Sequence, residues 1–301
     1  MSIAPAISRK RRLNIRAAPT EARLLRSWEG RVGNKGPRWT VYNGDARAVL
    51  SELPADHFSC VVTSPPYFWQ RDYDVAGQIG LEPSIDGYLQ SVCGTMDEVK
   101  RVLKPRGVLF LNLGDTYYSA KGKPHGHDPK HNGRRLKVLR AVDTSGLGVP
   151  QKTVIGIPWR VALEMISRGW TLRAPIIWRR ENVLPEANAL DRPWRTYEFM
   201  FMFTKARKYD FTRDPLKSAH VEDVWTIESR PRTGCGHPAV FPPELVGRCL
   251  KIGNPRSGLV LDPFAGSGTV LQVALGLGMN AVAIDLNPRY CKAMVRKLKK
   301  K

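Results

Sequence analysis

The stretch 61–69, VVTSPPYFW, ends an apolar run with a serine, two prolines and three aromatic residues. Proline has no backbone N–H and biases the residue before it away from helix, so Ser64-Pro65-Pro66 must end the strand that leads into it. The loop is therefore stiff, and it presents a serine hydroxyl, a proline carbonyl and the ring of Tyr67. For this tetrapeptide alone, a loop that ends a strand and caps the core is an equally good interpretation.

A second stretch with chemical potential is LVLDPFAGSGT, which ends at Thr269. An apolar strand leads to Asp262, and Gly266 and Gly268 let the backbone approach a ligand where a Cβ would collide. The next helix is predicted to begin at Thr269, and the N–H groups at a helix start can receive a carboxylate or a phosphate. A lone Gly-x-Gly also occurs in tight strand–helix turns without a ligand, so the glycines alone leave both interpretations open.

An acidic residue supports the ligand-binding interpretation. The strand AVAI ends in Asp285, close to where a ribose-binding acid is expected in a doubly wound sheet. The turn departs from the dinucleotide fingerprint because Pro263 and Phe264 precede the glycines and the G-x-x-G spacing is absent. The whole pattern indicates a site for an adenosine that carries an amino acid.

The elements around these stretches alternate between strands and helices. Strands with apolar residues on both sides, joined by amphipathic helices, are typical of a parallel sheet covered by helices on both faces. The fold class is therefore α/β, with a mostly parallel, doubly wound sheet and an additional antiparallel hairpin formed by 197–205 and 208–211. Strands are predicted at 39–45, 57–63, 107–115, 171–180 and 259–262, and helices at 46–53, 85–103, 157–169 and from 269.

The chain of 301 residues has a formal net charge of +21, which favours a polyanionic partner by steering and counterion release. Charge alone would suit a ribosomal or chromatin-type binder equally well. Residues 1–38 form a predicted basic flexible arm, with a possible short helix at 21–28, and 291–301 form a basic tail. The basic loop 119–152 is the main candidate for DNA contact, through Lys121, Lys123, Arg134, Arg135, Lys137 and Arg140.

The placement of the cysteines and the lengths of the apolar runs argue against a metal site and a membrane span. The five cysteines include no Cys-x-x-Cys pair, so no metal site is predicted, and Cys235 with His237 lacks a second pair of ligands. No stretch approaches the ~20 apolar residues of a membrane span. We therefore expect no membrane association and a reducing cytoplasmic location.

Taken together, TSPPY near the beginning and DPFAGSGT near the end resemble the S-adenosylmethionine-dependent DNA amino-methyltransferases of the circularly permuted beta group, in which the catalytic tetrapeptide precedes the cofactor turn. The resemblance covers about 39–290, with QIGLE, LNLGD, IIWRREN and HPAVFPPEL in the expected order. It implies a Rossmann-like methyltransferase domain at 39–301. Its parts are a catalytic half at 39–118, a core helix and strand at 153–182, a candidate target-recognition region at 183–236 and a cofactor-binding half at 237–290.

The resemblance also implies roles for residues around S-adenosylmethionine. Asp285 would accept the ribose hydroxyls, Asp45 would face the adenine edge, and Phe264 would pack near the sulfonium. The methionine half would be enclosed by the turn from Asp262 to Thr269, and His237 would begin a segment that lines the site. The turn residues in this set are Asp262, Pro263, Phe264, Gly266, Ser267, Gly268 and Thr269.

The catalytic residues implied are Ser64, Pro65, Pro66 and Tyr67. Ser64 Oγ and the Pro65 carbonyl would accept the N–H protons of an exocyclic amine and direct its lone pair towards the methyl group. Tyr67 would stack on the base, with support from Phe68 or Trp69. A base inside a duplex cannot reach such a loop, so base flipping is required.

The resemblance favours cytosine N4 as the acceptor, because adenine-N6 members commonly carry Asp where this chain has Ser64. Adenine N6 stays open as an alternative, as do an RNA or protein methyltransferase and a non-catalytic nucleic-acid binder on the same fold. Cytosine C5 chemistry is excluded, because it needs a thiolate nucleophile and no Pro-Cys dipeptide occurs. The expected partners are double-stranded DNA and, in a restriction-modification system, a cognate endonuclease; an orphan or phage enzyme would lack the latter.

Overall fold

One mixed sheet forms the centre of the molecule. Within the described residues nine strands follow the order β1-β2-β9-β8-β3-β4-β6-β5-β7. The strands are β1 (Arg26–Arg31), β2 (Arg38–Asn43), β3 (Phe58–Thr63), β4 (Leu103–Leu113), β5 (Thr171–Glu181), β6 (Tyr197–Thr204), β7 (Val224–Glu228), β8 (Leu259–Asp262) and β9 (Asn280–Asp285). The structure, a computed structural model, describes residues 26–118, 149–183, 185–186, 189–213, 222–229, 242–253 and 258–299.

Six helices cover the two faces of this sheet in the described part of the chain. Buried side chains of α1, α2 and α3 belong to one core cluster, and those of α4, α5 and α6 belong to the other. The sheet is thus wound on both sides, as the alternating pattern predicts. The helices are α1 (Ala46–Glu52), α2 (Ile85–Val102), α3 (Ile157–Ser167), α4 (Pro243–Gly253), α5 (Thr269–Gly276) and α6 (Pro288–Leu298).

Strand directions confirm the predicted α/β class. The run β2-β9-β8-β3-β4 is parallel throughout, whereas β6 is antiparallel to both β4 and β5. The two strands that come last in the chain, β8 and β9, lie inside the sheet between β2 and β3. Because parallel strands end at the same edge, the residues that follow β2, β3, β8 and β9 meet there, which is where open α/β sheets bind ligands.

The arm predicted for 1–38 is wrong for its described part. Residues from Arg26 onward form β1, which pairs antiparallel with β2, and Trp28 of this strand packs against the core. A Cβ at Gly30 would overlap the Trp39 ring, so this glycine lets the indole lie flat on β1. The clustered arginines obscured the alternation of exposed and partly buried side chains along this edge strand. Residues 1–25, which include most of the possible helix at 21–28, lie outside the described residues.

The basic tail predicted for 291–301 is also wrong, as far as Leu298. Asn287 caps α6 by accepting from Arg289 N, and Pro288 occupies its first turn. The buried side chains recur at helical spacing, so the lysines and arginines occupy only the outer face. These buried residues are Cys291, Met294, Val295 and Leu298.

Two further elements differ from the prediction. The partner of β6 is not 208–211, because β4 and β5 already occupy both edges of β6. Residues 208–211 form no strand, and Asp210 instead pairs with Arg106 at 2.6 Å. Strand β7 lies within the region 183–236, which shows no sustained pattern; it is short, with Trp225 and Ile227 buried. Among the helices described, none is long and apolar enough to cross a membrane.

Candidate active site

A pocket of about 470 Å³ opens at the carboxyl edge of the parallel strands. It is lined by residues of both predicted motifs, which come from distant parts of the sequence. A volume in this range suits a small-molecule ligand. The predicted site residues on its wall are Ser64, Pro65, Pro66, Tyr67, Asp45, Asp262, Pro263, Phe264, Gly266, Ser267, Thr269 and Asp285.

The loop with the two prolines is anchored from behind. The Tyr88 hydroxyl of α2 donates to the Pro66 carbonyl at 3.0 Å. Phe68 is buried, with its ring centroid 5.3 Å from that of Tyr88, and Trp69 Nε1 donates to the Glu82 carbonyl at 2.6 Å. Phe68 and Trp69 therefore stiffen the loop from the core side, and neither lines the pocket.

Tyr67 is held by polar groups on two neighbouring strands. Its hydroxyl shares its proton between Asn112 Oδ1 of β4 and Glu198 Oε2 of β6, each at 2.7 Å. Arg180 Nη1 of β5 pairs with the other Glu198 oxygen at 3.2 Å. Burial raises the pKa of Tyr67 well above its usual value, and the negative charge of Glu198 raises it further. The phenol therefore stays protonated, and contacts of its hydroxyl group with β4 and β6 fix the position of the ring.

Sequence patterns point to Asn112 and Glu198 only weakly. Each is a polar residue within an otherwise apolar strand, LFLNL or YEFMFMF. A polar side chain in such a strand needs a hydrogen-bond partner when buried, and here each finds Tyr67. The interruption of the apolar run was the available signal, but it does not say which distant residue is the partner.

The glycine turn has the predicted start of α5 at Thr269. Gly266 has φ +50° and open space where a Cβ would be, on the pocket wall. Gly268 has φ +80°, and its Cβ would lie 2.6 Å from Met294, so this glycine allows the turn to pack on α6 and does not line the pocket. Ser267 Oγ and Thr269 Oγ1 are hydrogen-bonded to each other at 3.3 Å, and both residues line the pocket.

Two carboxyl groups occupy the same wall, that of Asp262 buried and that of Asp285 partly buried. Asp262 is only 3% exposed, and burial raises its pKa to about 7, although it accepts hydrogen bonds from Thr63 Oγ1 at 2.7 Å and Phe264 N at 3.1 Å. Burial raises the pKa of Asp285 to about 6 as well, although it accepts from Gly266 N and Asn287 N, both at 2.7 Å. Desolvated carboxylates on a pocket wall favour a ligand that brings positive charge or hydroxyl donors.

Asp45 lies on the pocket wall at the end of the loop after β2. Its Oδ1 accepts from Ala48 N at 3.0 Å and so caps α1. Asn43 Nδ2 donates to the carbonyls of Asp285 and Leu286, both at 3.0 Å, which fixes the ends of β2 and β9 together. The wall is completed by side chains that the motifs did not identify, among them Arg71, Tyr73, Gln78 and Tyr290.

Two arginines of the candidate recognition region are engaged within the protein. Arg192 and Arg195 both pair with Glu186, at 2.8 and 3.0 Å. The Arg192 guanidinium lies 3.8 Å from the centre of the Tyr117 ring, and Arg195 donates to the Asp115 carbonyl. These contacts fix the segment that carries Arg192 and Arg195 to the end of β4. Because both guanidinium groups already have partners within the protein, the two arginines are poor candidates for phosphate contacts. The residues predicted to contact DNA lie outside the described residues, as does His237: Lys121, Lys123, Arg134, Arg135, Lys137 and Arg140.

Comparisons with known proteins identify the family of the chain. A family model described as DNA methylase matches residues 58–296. The chain is 41% identical over 258 residues to the Type II methyltransferase M.XycI of Xanthomonas campestris pv. cyanopsidis, covering 83% of this chain and 84% of that protein.

Two solved structures have a similar fold. PvuII DNA methyltransferase, named as cytosine-N4-specific, superposes with a TM-score of 0.67 at 19% identity, over 87% of this chain and 90% of the other. TTHA0409 of Thermus thermophilus, solved in complex with S-adenosyl-L-methionine, superposes with a TM-score of 0.57 at 24% identity, over 86% and 93%.

Proposed function

Because this chain belongs to the N6/N4 DNA methylase family, we propose that it transfers a methyl group from S-adenosylmethionine to the N4 amine of a cytosine in double-stranded DNA. The observation that carries the proposal is the shared pocket, in which the Ser64–Tyr67 loop faces the turn from Asp262 to Thr269. A binder without activity would not need both motifs on one wall.

The pocket fits S-adenosylmethionine on the side that we name the cofactor end, formed by Asp45, Asp262, Gly266 and Asp285. When bound, this cofactor supplies a methyl group on a positively charged sulfonium. Gly266 leaves room for close backbone approach, and the two carboxyl groups suit the positive charges and ribose hydroxyls of such a ligand.

The resemblance to the family supports individual roles at the cofactor end. Asp285 accepts the ribose hydroxyls and Asp45 faces the adenine. Ser267 and Thr269 donate to the carboxylate of the methionine half, beside Asp262 and Pro263, and Phe264 packs near the sulfonium. His237, outside the described residues, stays a predicted part of this wall.

The opposite side of the pocket, which we name the base end, is formed by Ser64–Tyr67 with Asn112, Arg180 and Glu198. Ser64 Oγ and the Pro65 carbonyl accept hydrogen bonds from the two N–H groups of the amine, which turns the nitrogen lone pair towards the methyl donor. The methylated nitrogen then loses one of these protons to solvent, since the proton becomes acidic on methylation. In the described part of the chain no donor reaches the Pro65 carbonyl, whereas the Pro66 carbonyl is taken by Tyr88. The ring of Tyr67 stacks on the extruded base. Acceleration comes chiefly from position and electrostatics.

Serine at the first position of the tetrapeptide supports cytosine N4 over adenine N6, and the specificity in the name of the PvuII enzyme agrees with it. The names of the relatives as Type II methyltransferases support a role in a restriction-modification system with a cognate endonuclease. Phosphate contacts are assigned to the cations of 121–140.

The test is to incubate the purified protein with duplex DNA and S-adenosylmethionine, digest the DNA and identify modified nucleosides by mass spectrometry. We expect N4-methylcytosine, lost in Ser64→Ala. Ser91→Ala is the matched control, because the Ser91 hydroxyl donates to the Gly87 carbonyl within α2, away from the pocket. N6-methyladenine would contradict the assignment of the base. Methylation of RNA alone, or of nothing, would contradict the proposal as a whole.

A further inference from the structure

A buried hydrogen bond joins the two loops of the pocket. Thr63 Oγ1 donates to Asp262 Oδ1 at 2.7 Å, and these residues are 0% and 3% exposed. Thr63 is the last residue of β3, and Asp262 is the last residue of β8. Ser64 and Pro263 follow them directly, so this bond connects the points at which the catalytic loop and the cofactor turn begin.

Backbone pairing between β3 and β8 stops before these points. The ladder pairs Cys60 with Val260 and Val61 with Leu261, and then ends. Thr63 pairs with β4 and Asp262 pairs with β9, on the opposite sides of their strands. Beyond the last ladder pair, the hydrogen bond between the two side chains is therefore the direct link between β3 and β8 in the part of the chain that the structure describes.

Resting on the proposed function, we propose that Thr63 is a positioning residue, which acts through Asp262 to keep the Ser64–Tyr67 loop aligned with the cofactor turn. Thr63 does not line the pocket, whereas Asp262 does. Asp262 Oδ1 accepts hydrogen bonds from both the Thr63 hydroxyl and Phe264 N. The carboxyl group is thereby fixed in one orientation against the pocket that receives a cationic methyl donor.

The same bond influences the charge of Asp262. Burial is the main cause of its raised pKa, and the nearby carboxylate of Asp285 on β9 raises it as well. The hydrogen bonds from Thr63 and Phe264 N lower it, because they favour the ionised form. Without the Thr63 hydroxyl the pKa of Asp262 rises further, and the carboxylate becomes ionised only at a more alkaline pH. A positively charged ligand binds better to the ionised carboxylate. On acidification its affinity should therefore begin to fall at a higher pH without the Thr63 hydroxyl than with it.

The experiment compares Thr63→Val with Thr95→Val. Thr95 is also buried, and its hydroxyl donates to the Ser91 carbonyl at 3.0 Å inside α2, far from the pocket in the fold. Binding of S-adenosylmethionine is measured by calorimetry from pH 6 to pH 8.5, together with the thermal midpoint and kcat on duplex DNA. Both variants should lose about 2–4 °C of thermal midpoint.

Only Thr63→Val should lose about tenfold in cofactor affinity at pH 7, with the midpoint of its pH dependence raised by about half a unit or more. Thr63→Ser restores the hydroxyl and should return within about threefold of the wild type. Asp262→Asn has no carboxyl group at this position and should lose the step of the pH dependence near pH 7, while the step that Asp285 contributes near pH 6 stays. This variant gives a second measurement if Thr63→Val does not fold.

Distinct results separate this inference from the proposed function. A wild-type protein that fails to bind S-adenosylmethionine would overturn both. A wild type that binds it, with Thr63→Val equal to Thr95→Val in affinity and pH midpoint, would overturn the role of Thr63 alone. An unaltered pH dependence in Asp262→Asn would do the same.

Discussion

At the cofactor end the pocket is shaped by backbone turns and carboxyl groups, whereas at the base end it is shaped by side chains from three strands that hold one aromatic ring. Gly266 and Asp285 are joined by a backbone-to-carboxylate bond between neighbouring segments of the sheet. Tyr67, in contrast, depends on Asn112 and Glu198, which are far apart in sequence. The cofactor end should therefore be sensitive to backbone changes, and the base end to loss of single functional groups.

The largest effect should come from Ser64→Ala at the base end. Removing one preorganised polar contact to the reacting group is expected to lower kcat by about 10²–10³. The dissociation constant of S-adenosylmethionine should stay within about twofold, because Ser64 holds the amine and not the cofactor. Single-turnover methylation and calorimetric binding measure the two quantities separately. A matching loss of cofactor affinity would erase the distinction between the two ends.

Gly266→Ala should give the next largest effect, now at the cofactor end. The added Cβ points into open pocket space from a backbone at φ +50°, so we expect about 10- to 100-fold weaker S-adenosylmethionine binding. Gly278→Ala is the matched control, since Gly278 has φ +78° and equally open surroundings but does not line the pocket. Both variants carry the backbone strain, so equal cofactor affinities in the two would show that Gly266 has no role in ligand approach.

Asp262→Asn should raise the free energy of unfolding while it weakens binding of S-adenosylmethionine at the cofactor end. Asp262 ionises near its usual pKa of about 4 in the unfolded chain, whereas burial raises its pKa to about 7 in the folded protein. The folded state holds this proton more tightly, so its stability falls as pH rises from about 4 to about 7. The variant removes this titration, and we expect a gain of about 1–3 kcal/mol at pH 8 and a smaller gain at pH 5. Denaturant unfolding at both pH values measures it, and a gain independent of pH would contradict the assignment.

The smallest effect is expected for Tyr67→Phe, which keeps the ring and removes its anchors. A lost hydrogen bond of this kind is worth about 0.5–1.5 kcal/mol, so kcat should fall about 3- to 10-fold with cofactor affinity unchanged. Tyr209→Phe is the control, because the Tyr209 hydroxyl accepts from Arg173 Nε at an exposed position outside the pocket. A kcat equal to that of the wild type would show that the ring stays in place without Asn112 and Glu198.

The same contrast explains what the sequence could predict. The start of α5 at Thr269 and the end of β9 at Asp285 depend on local signals, a glycine turn and an apolar run, and both predictions are confirmed. The anchors of Tyr67 depend on how β4, β6 and β5 are ordered in the sheet, which no local pattern specifies. Helix α6 was missed for a different reason, because its many cations obscured the spacing of Cys291, Met294 and Leu298.

The position of β8 and β9 has a consequence for synthesis of the protein. These strands are made after β2 and β3, yet they fill the gap between them. Until they are made, β2 and β3 each present an unpaired edge, and exposed edges invite pairing with other chains. Closure of the sheet therefore waits for β8 and β9, and it requires contacts between residues as distant in sequence as Asn43 and Asp285. A chain interrupted before these strands carries no assembled pocket, because the turn from Asp262 to Thr269 and Asp285 form part of its wall.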